Sequence, residues 1–374
     1  MERIKTIDTF RGICMFIMVY GHMFDWWLTS QDYWLFESVL KPLLGPIGAA
    51  GFVFISGIST MLSYRKNISK DDGSNINFKK DLRNVYFTRA FLLLLIALIY
   101  NFTVAVRLNN LSFIWAWLIL QTLSISLILA YPFLKTAKSV RLITCILLLC
   151  INQLILRLLT PFQGQLNGYG VLYHIIFNPV EHYIILPYFS IFLFGTVIGD
   201  MLVELNAQSD GTRKNWWFKN YIIPPMIMSG LVLIVIGLVY EFPSFFIYGT
   251  FSSIIYSFGI VISLLSIMLT IEELNLIKTK KSYKYLSYYS FYSFTIYIGH
   301  NLLFFLFTAQ LTVVTIWIPV IISIILFGFL LRALYNYIGN KLSLKTGINY
   351  LSLLFVREIQ IRRNESKSAL ISVK

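Results

Sequence analysis

Two histidines of this chain lie inside long apolar runs, and both have polar company at helical spacing. The first closes the run Met18-Val-Tyr-Gly-His22-Met-Phe-Asp25; the second ends Tyr289 … Ser293-Phe-Thr-Ile-Tyr297-Ile-Gly-His300. An ionisable ring inside a lipid-spanning helix is costly, so it normally faces a cavity and marks a functional candidate. A neutral imidazole there can take a proton or carry an acyl group. At 100° per residue Asp8, Arg11, Met15, Met18, His22 and Asp25 fall within about a 100° arc. Arg11 and His22 are then about 16 Å apart along the axis. One helix face thus joins a charged entrance to a titratable ring. A plainer reading stays open: Asp8 and Arg11 as an i,i+3 pair at a helix end, and His22 as a packing residue bonded to a neighbour. Tyr289, Ser293, Tyr297 and His300 are expected on one stripe of a second helix. His300 enters at nearly the depth of His22, and here too a polar packing patch is the alternative.

Helices must place these residues in a bilayer. The 374 residues are 57% hydrophobic and 13% charged, with mean hydropathy +0.72. Soluble domains are about 25% charged. Apolar runs long enough to cross a core of about 30 Å recur at 10–29, 43–64, 86–106, 111–133, 141–160, 184–204, 221–240, 247–271, 286–308 and 313–335. None alternates, so an all-α polytopic membrane protein of about ten spans is expected rather than a barrel. The net charge of +14 reflects topology and does not point to nucleic acid: 28 of the 31 Lys and Arg fall on one side of these spans. Lys41, Arg107 and Arg157 make up the other side. The positive-inside rule then places both termini in the cytoplasm. The first run lacks a small-residue cleavage site and holds His22 and Asp25, so it is expected to be retained. Cys14, Cys145 and Cys150 fall inside spans and suggest neither disulfide nor metal site.

Further candidates sit at the ends of spans. Glu181 and His182 precede the sixth run on the outer side, where they would flank an outer mouth; helix capping is the competing reading. Arg89, at the cytoplasmic start of the third run, is a candidate phosphate ligand and also one of the basic residues that set topology. Gly45-Pro-Ile-Gly48-Ala-Ala-Gly51-Phe-Val-Phe-Ile-Ser-Gly57 follows no strand and has no Lys after its glycines, so it favours close helix packing over phosphate binding. The outer loop Pro161–Tyr183 is long enough to serve a function. The stretch after Asn336 suits an amphipathic helix on the inner leaflet. No internal repeat, paired-carboxylate pattern, metal-ligand cluster, Walker motif or G-x-S-x-G elbow occurs.

Four of these segments, in order, resemble membrane acyltransferases related to heparan-α-glucosaminide N-acetyltransferase. They are Arg3-x-x-x-x-Asp8-x-x-Arg11-Gly12 followed by the run to His22; Gly51-Phe-Val-Phe-Ile-Ser-Gly57; Leu186-Pro-Tyr-Phe … Leu193-Phe-Gly195-Thr-Val-Ile-Gly199; and Tyr292-Ser293-Phe-Thr-Ile-Tyr297-Ile-Gly-His300. The resemblance implies that acyl-CoA is used from the cytoplasm and that its acyl group reaches a glycan hydroxyl or amine on the far side. Asp8, Arg11 and Arg89 would meet the nucleotide-phosphate part of CoA, and the pantetheine arm would run toward His22. In lysosomal members the proposed active-site His lies in the luminal segment after the first helix, and the position of His22 is Asn. No His occurs here between Met23 and Pro46. The chain therefore resembles the prokaryotic branch, and amino-sugar specificity does not carry across.

The expectation is an acetyl-CoA-dependent N- or O-acyltransferase in the cell membrane. It has a single transmembrane domain over 1–336 and a cytoplasmic tail over 337–374. Catalysis falls to His22, as general base or transient acyl carrier, with Asp25 orienting it and His300 assisting. Tyr297, Glu181 and His182 would bind the acceptor, an extracytoplasmic glycan or lipid-linked molecule. No metal is expected, and a homodimer is left open. The runner-up is a proton-coupled transporter with the two histidines as a relay; a non-catalytic partner in a cell-envelope assembly is the third reading.

Overall fold

The computed structural model describes residues 4–71, 77–179, 182–208, 211–247, 249–274 and 284–372. The chain is 84% helical, with no sheet among the described residues. Among the described residues eight helices are long and apolar enough to span a membrane, nine when one bent pair is included. The first helix, α1 (Lys5–Trp27), has the length as well. It is less apolar because it carries Asp8, Arg11, His22 and Asp25. Each of the ten apolar runs in the sequence coincides with one of these elements.

The next spans are α2 (Phe36–Ile68), α3 (Phe78–Arg107), α4 (Ile119–Phe133) and α5 (Lys138–Leu159). A short helix, α6 (Gly168–Phe177), occupies the outer loop, and α7 (Ile185–Asn206) follows it. α7 is the centre of the bundle: 83% of its apolar window is buried, against 17% for α5. Gly57 of α2 and Gly195 of α7 let these two backbones touch. A Cβ on Gly57 would overlap the Phe192 carbonyl, and one on Gly195 the Phe54 carbonyl. Close packing is therefore what the glycine-rich run does. An ion pair is buried here. Asp200 of α7 accepts from Arg65 Nε of α2 at 2.7 Å and from Arg141 of α5, which is wholly buried. Arg141 also donates to the Thr196 carbonyl at 3.0 Å. An ion in an apolar bundle needs such partners, and this one pins three helices in register.

After α8 (Asn215–Val239) and α9 (Phe251–Glu273), the chain returns to α1. Glu272 of α9 accepts from the Lys5 and Thr6 amides at 3.0 and 2.7 Å. A carboxylate thus satisfies the first free N–H groups of α1, where the helix dipole favours it. Gly12 allows the next approach: a Cβ there would overlap the Leu286 carbonyl of α10 (Lys284–Phe291).

The sequence suggested one straight ninth helix. It is bent instead by 72°, where α10 meets α11 (Ser293–Phe307). Tyr292, between them, has φ −93° and ψ 16°, which is not helical. The expected stripe is therefore cut. Tyr289 packs in the core against Phe16 and Phe327, while Ser293, Tyr297 and His300 follow a different axis. Cys150 departs from expectation as well: it is exposed on α5, unlike buried Cys14 and Cys145. α12 (Trp317–Tyr337) shows apolar side chains to lipid. The last helix, α13 (Leu344–Ser372), packs on α3 and α11. Ile348, Ser352 and Val356 are buried at i, i+4 and i+8, while Leu351, Leu354 and Phe355 are exposed.

Candidate active site

α1 passes along two cavities at different depths. The outer one has a volume of about 500 Å³ and is lined by His22, Asp25, Tyr297, His300, His182 and Arg107, among others. The inner one, about 380 Å³, is lined by Arg11, Arg89, Tyr297 and a polar face of α2. Phe52, Ile119 and Tyr297 line both, so a wall of three side chains separates them.

In the outer cavity the two histidines meet. Their rings stack with centroids 5.1 Å apart, and Trp26 stacks on both, at 4.8 Å from His22 and 5.6 Å from His300. The 72° bend is what turns α11 so that His300 reaches α1. His22 Nδ1 lies 3.6 Å from Asp25 Oδ2, an ion-pair distance longer than a hydrogen bond. The other carboxylate oxygen accepts from the Tyr33 hydroxyl at 2.7 Å. Burial, and then this hydrogen bond, pushes the Tyr33 phenol up, so it remains a donor and fixes Asp25. The Nδ1 edge of His22 faces the carboxylate, which leaves Nε2 on the opposite side of the ring. His300 is arranged alike: its Nδ1 lies 3.2 Å from the Ile296 carbonyl, which can only accept. The two differ in access. His300 is 2% exposed, whereas 37% of the His22 side chain is open to the cavity.

In the inner cavity Arg11 is held from three helices. It donates to Asp8 at 3.3 Å, to Ser290 of α10 at 3.5 Å and to Ser59 of α2. Asp8 does not line the cavity; it orients the guanidinium that does. Arg89 of α3 lies within electrostatic reach of Arg11 and makes no hydrogen bond or ion pair among the described residues. Two guanidiniums on one cavity have the chemistry to hold an anion. Between them and the wall runs a stripe of α2 that the sequence reading passed over: Ser56, Ser59, Thr60, Ser63 and Asn67 all line the inner cavity. Their spacing at three and four residues was the available signal. Ser56, Ser59 and Thr60 donate back to carbonyls four residues earlier, which satisfies them in an apolar bundle.

Most of the expected residues are thus brought together. His22, Asp25, His300, Tyr297 and His182 share the outer cavity, and Arg11 and Arg89 the inner one. Glu181 lies outside the described residues. Tyr33, Trp26 and the Tyr100–Asn301 pair, 3.0 Å apart, were not foreseen. Such contacts depend on tertiary approach and leave no periodic trace.

This arrangement has one pair of guanidiniums on an inner cavity, one imidazole pair in an outer cavity, and a single helix, α1, that contributes Arg11 to the first and His22 to the second. It coincides with a comparison at the level of sequence. The family model of the heparan-alpha-glucosaminide N-acetyltransferase catalytic domain matches residues 3–241. The chain belongs to that family. It is a multi-pass membrane acetyltransferase. The match takes in α1, α2, α3 and α7, hence His22, Asp25, Arg11 and Arg89, and ends before Tyr297 and His300. No curated protein matches the chain.

Proposed function

We propose that this acetyltransferase takes its acetyl group from cytoplasmic acetyl-CoA and delivers it through the bundle to an acceptor on the outer face. One observation carries the reading: Arg11 of the guanidinium pair and His22 of the imidazole pair lie on the same helix, in two cavities that meet at Phe52, Ile119 and Tyr297. The basic residues place the inner cavity on the cytoplasmic side. Arg11 and Arg89 hold CoA phosphates there, and Asp8 aims Arg11. The pantetheine amides follow the Ser/Thr stripe of α2, and the thioester passes Tyr297 to reach the histidines.

The chemistry balances without a further reactant. The acceptor O–H or N–H attacks the thioester carbon while an imidazole Nε2 takes its proton. The tetrahedral intermediate expels the CoA thiolate, which receives that proton back as free thiol. His22 is the better placed base, because it is the more open ring and Asp25 stabilises the imidazolium that forms. The same nitrogen can also accept the acetyl group and pass it on. Tyr297 and His300 stand beside the reacting carbonyl, where a donor steadies the developing oxyanion. His182, at the outer mouth, meets the acceptor, a glycan or lipid-linked molecule of the cell envelope. Lys41 and Arg107, two of three outer-side cations, line that cavity and suit an acceptor with acidic groups.

Release of CoA thiol tests the reading. Purified protein given acetyl-CoA and candidate glycan acceptors releases thiol, and His22→Gln does not. A proton-coupled transporter would release none under any condition and would instead take up a solute in response to pH.

A further inference from the structure

The inner cavity is not closed by the spans alone. Lys345, Ile348 and Asn349 of α13 also line it. They come from the helix that follows the last span, about a hundred residues beyond the stretch that matches the family. The helix is seated firmly. The Leu344 amide donates to Thr295 Oγ1 at 3.2 Å, and Thr295 Oγ1 donates to the Leu342 carbonyl at 3.0 Å. The Tyr292 hydroxyl, at the bend, donates to the Gly339 carbonyl at 2.7 Å. Its start is thus tied to the N-terminal turn of α11, the half-helix that carries Tyr297 and His300. Ile348 and Ser352 then bury its inner face.

Three cations from three separate helices therefore border one cavity: Arg11 of α1, Arg89 of α3 and Lys345 of α13. Three positive side chains on one cavity, one of them already paired with Asp8, suit an anion of several charges. CoA has that character at its nucleotide end, with a pyrophosphate and a separate ribose phosphate. Arg11 lies next to the Ser/Thr stripe that leads inward. Lys345 and Asn349 are exposed and stand at the mouth.

We infer that α13 is the outer wall of the donor site, and that Lys345 and Asn349 bind the phosphorylated nucleotide end of acetyl-CoA. This rests on the donor reading given above. Lys345 contributes a mobile point charge suited to a terminal phosphate, and Asn349 one turn later offers both a donor and an acceptor. A tail helix serving only the inner leaflet would use lysine for lipid headgroups, which present the same phosphate chemistry.

The test uses the full-length protein in phosphatidylcholine nanodiscs, with and without added phosphatidylglycerol. Two probes are titrated: acetyl-CoA, and S-acetylpantetheine, which lacks every phosphate. Wild type binds acetyl-CoA saturably. Lys345→Gln and Asn349→Ala weaken acetyl-CoA by about tenfold, the scale of one charge-assisted hydrogen bond, and leave S-acetylpantetheine unchanged in both lipid mixtures. Lys345→Arg restores binding to near wild type. Equal weakening of both probes would make α13 merely structural and overturn the inference. So would a Lys345→Gln effect seen only with phosphatidylglycerol, which would assign the lysine to lipid, and so would no effect at all. Failure of wild type to bind acetyl-CoA would instead overturn the donor reading itself.

Discussion

Replacing Arg11 by lysine separates what its charge does from what its shape does. The guanidinium serves Asp8, Ser290 and Ser59 together and still borders the inner cavity, with only 10% of its side chain exposed. A lysine keeps the charge and satisfies Asp8, four atoms along a similar stem. It cannot also reach serines on two other helices and present a planar fork to a phosphate. The bundle loses little, because the half-buried Asp8 carboxylate retains a cation. The ligand loses a bidentate, charge-assisted contact, worth about 1.5–3 kcal/mol. At about 1.4 kcal/mol per decade, Arg11→Lys weakens acetyl-CoA by about tenfold to a hundredfold. Calorimetric titration of the purified variant measures this, with thermal melting as the control. A dissociation constant within twofold of wild type, in a protein of unchanged melting temperature, would show that Arg11 does not grip the donor. Arg11→Ala is a poorer probe, since it also removes the cation that faces Asp8 and so mixes folding with binding.

Other consequences are as definite. His22→Gln keeps bulk and hydrogen bonding and leaves acetyl-CoA binding intact, yet lowers turnover by about 10²–10⁴-fold; full turnover would shift the catalytic role to His300. Asp200→Ala leaves Arg141 buried without its carboxylate, at a cost of about 3–5 kcal/mol, so the melting temperature falls well below wild type; an unchanged melt would mean the cluster pins nothing. A cysteine placed at Lys70 stays unlabelled by an impermeant maleimide in intact cells and reacts once they are opened, whereas labelling from outside would invert the topology.

The fold was legible in the sequence because lipid imposes length and composition directly. A span needs about 20 apolar residues, and every run of that kind became a helix. The charged face of α1 was legible for a related reason: Asp8, Arg11, His22 and Asp25 break an apolar pattern at helical spacing. The glycine run of α2 announced close packing, and Gly57 against Phe192 shows where. The bend at Tyr292 left no mark, since neither Pro nor Gly stands there and the break is fixed by packing of both halves. Its consequence, the stack of His300 on His22, was therefore out of reach of sequence reasoning. The stripe of hydroxyls on α2 was within reach, but serines in apolar helices more often bond their own backbone than line a path. The cluster of Arg65, Arg141 and Asp200 is long-range, and no local spacing could pair its members. Lys345 looked like one more basic residue setting topology; only the docking of α13 brings it to the inner cavity.

Sidedness tests the central claim most directly. Protein reconstituted in one orientation, cytoplasmic face outward, receives labelled acetyl-CoA outside and an acceptor sealed inside. Label should appear on the enclosed acceptor while CoA thiol stays outside, and both signals should vanish in His22→Gln. Acetylation confined to acceptor on the same side as the donor would contradict a transfer through the bundle.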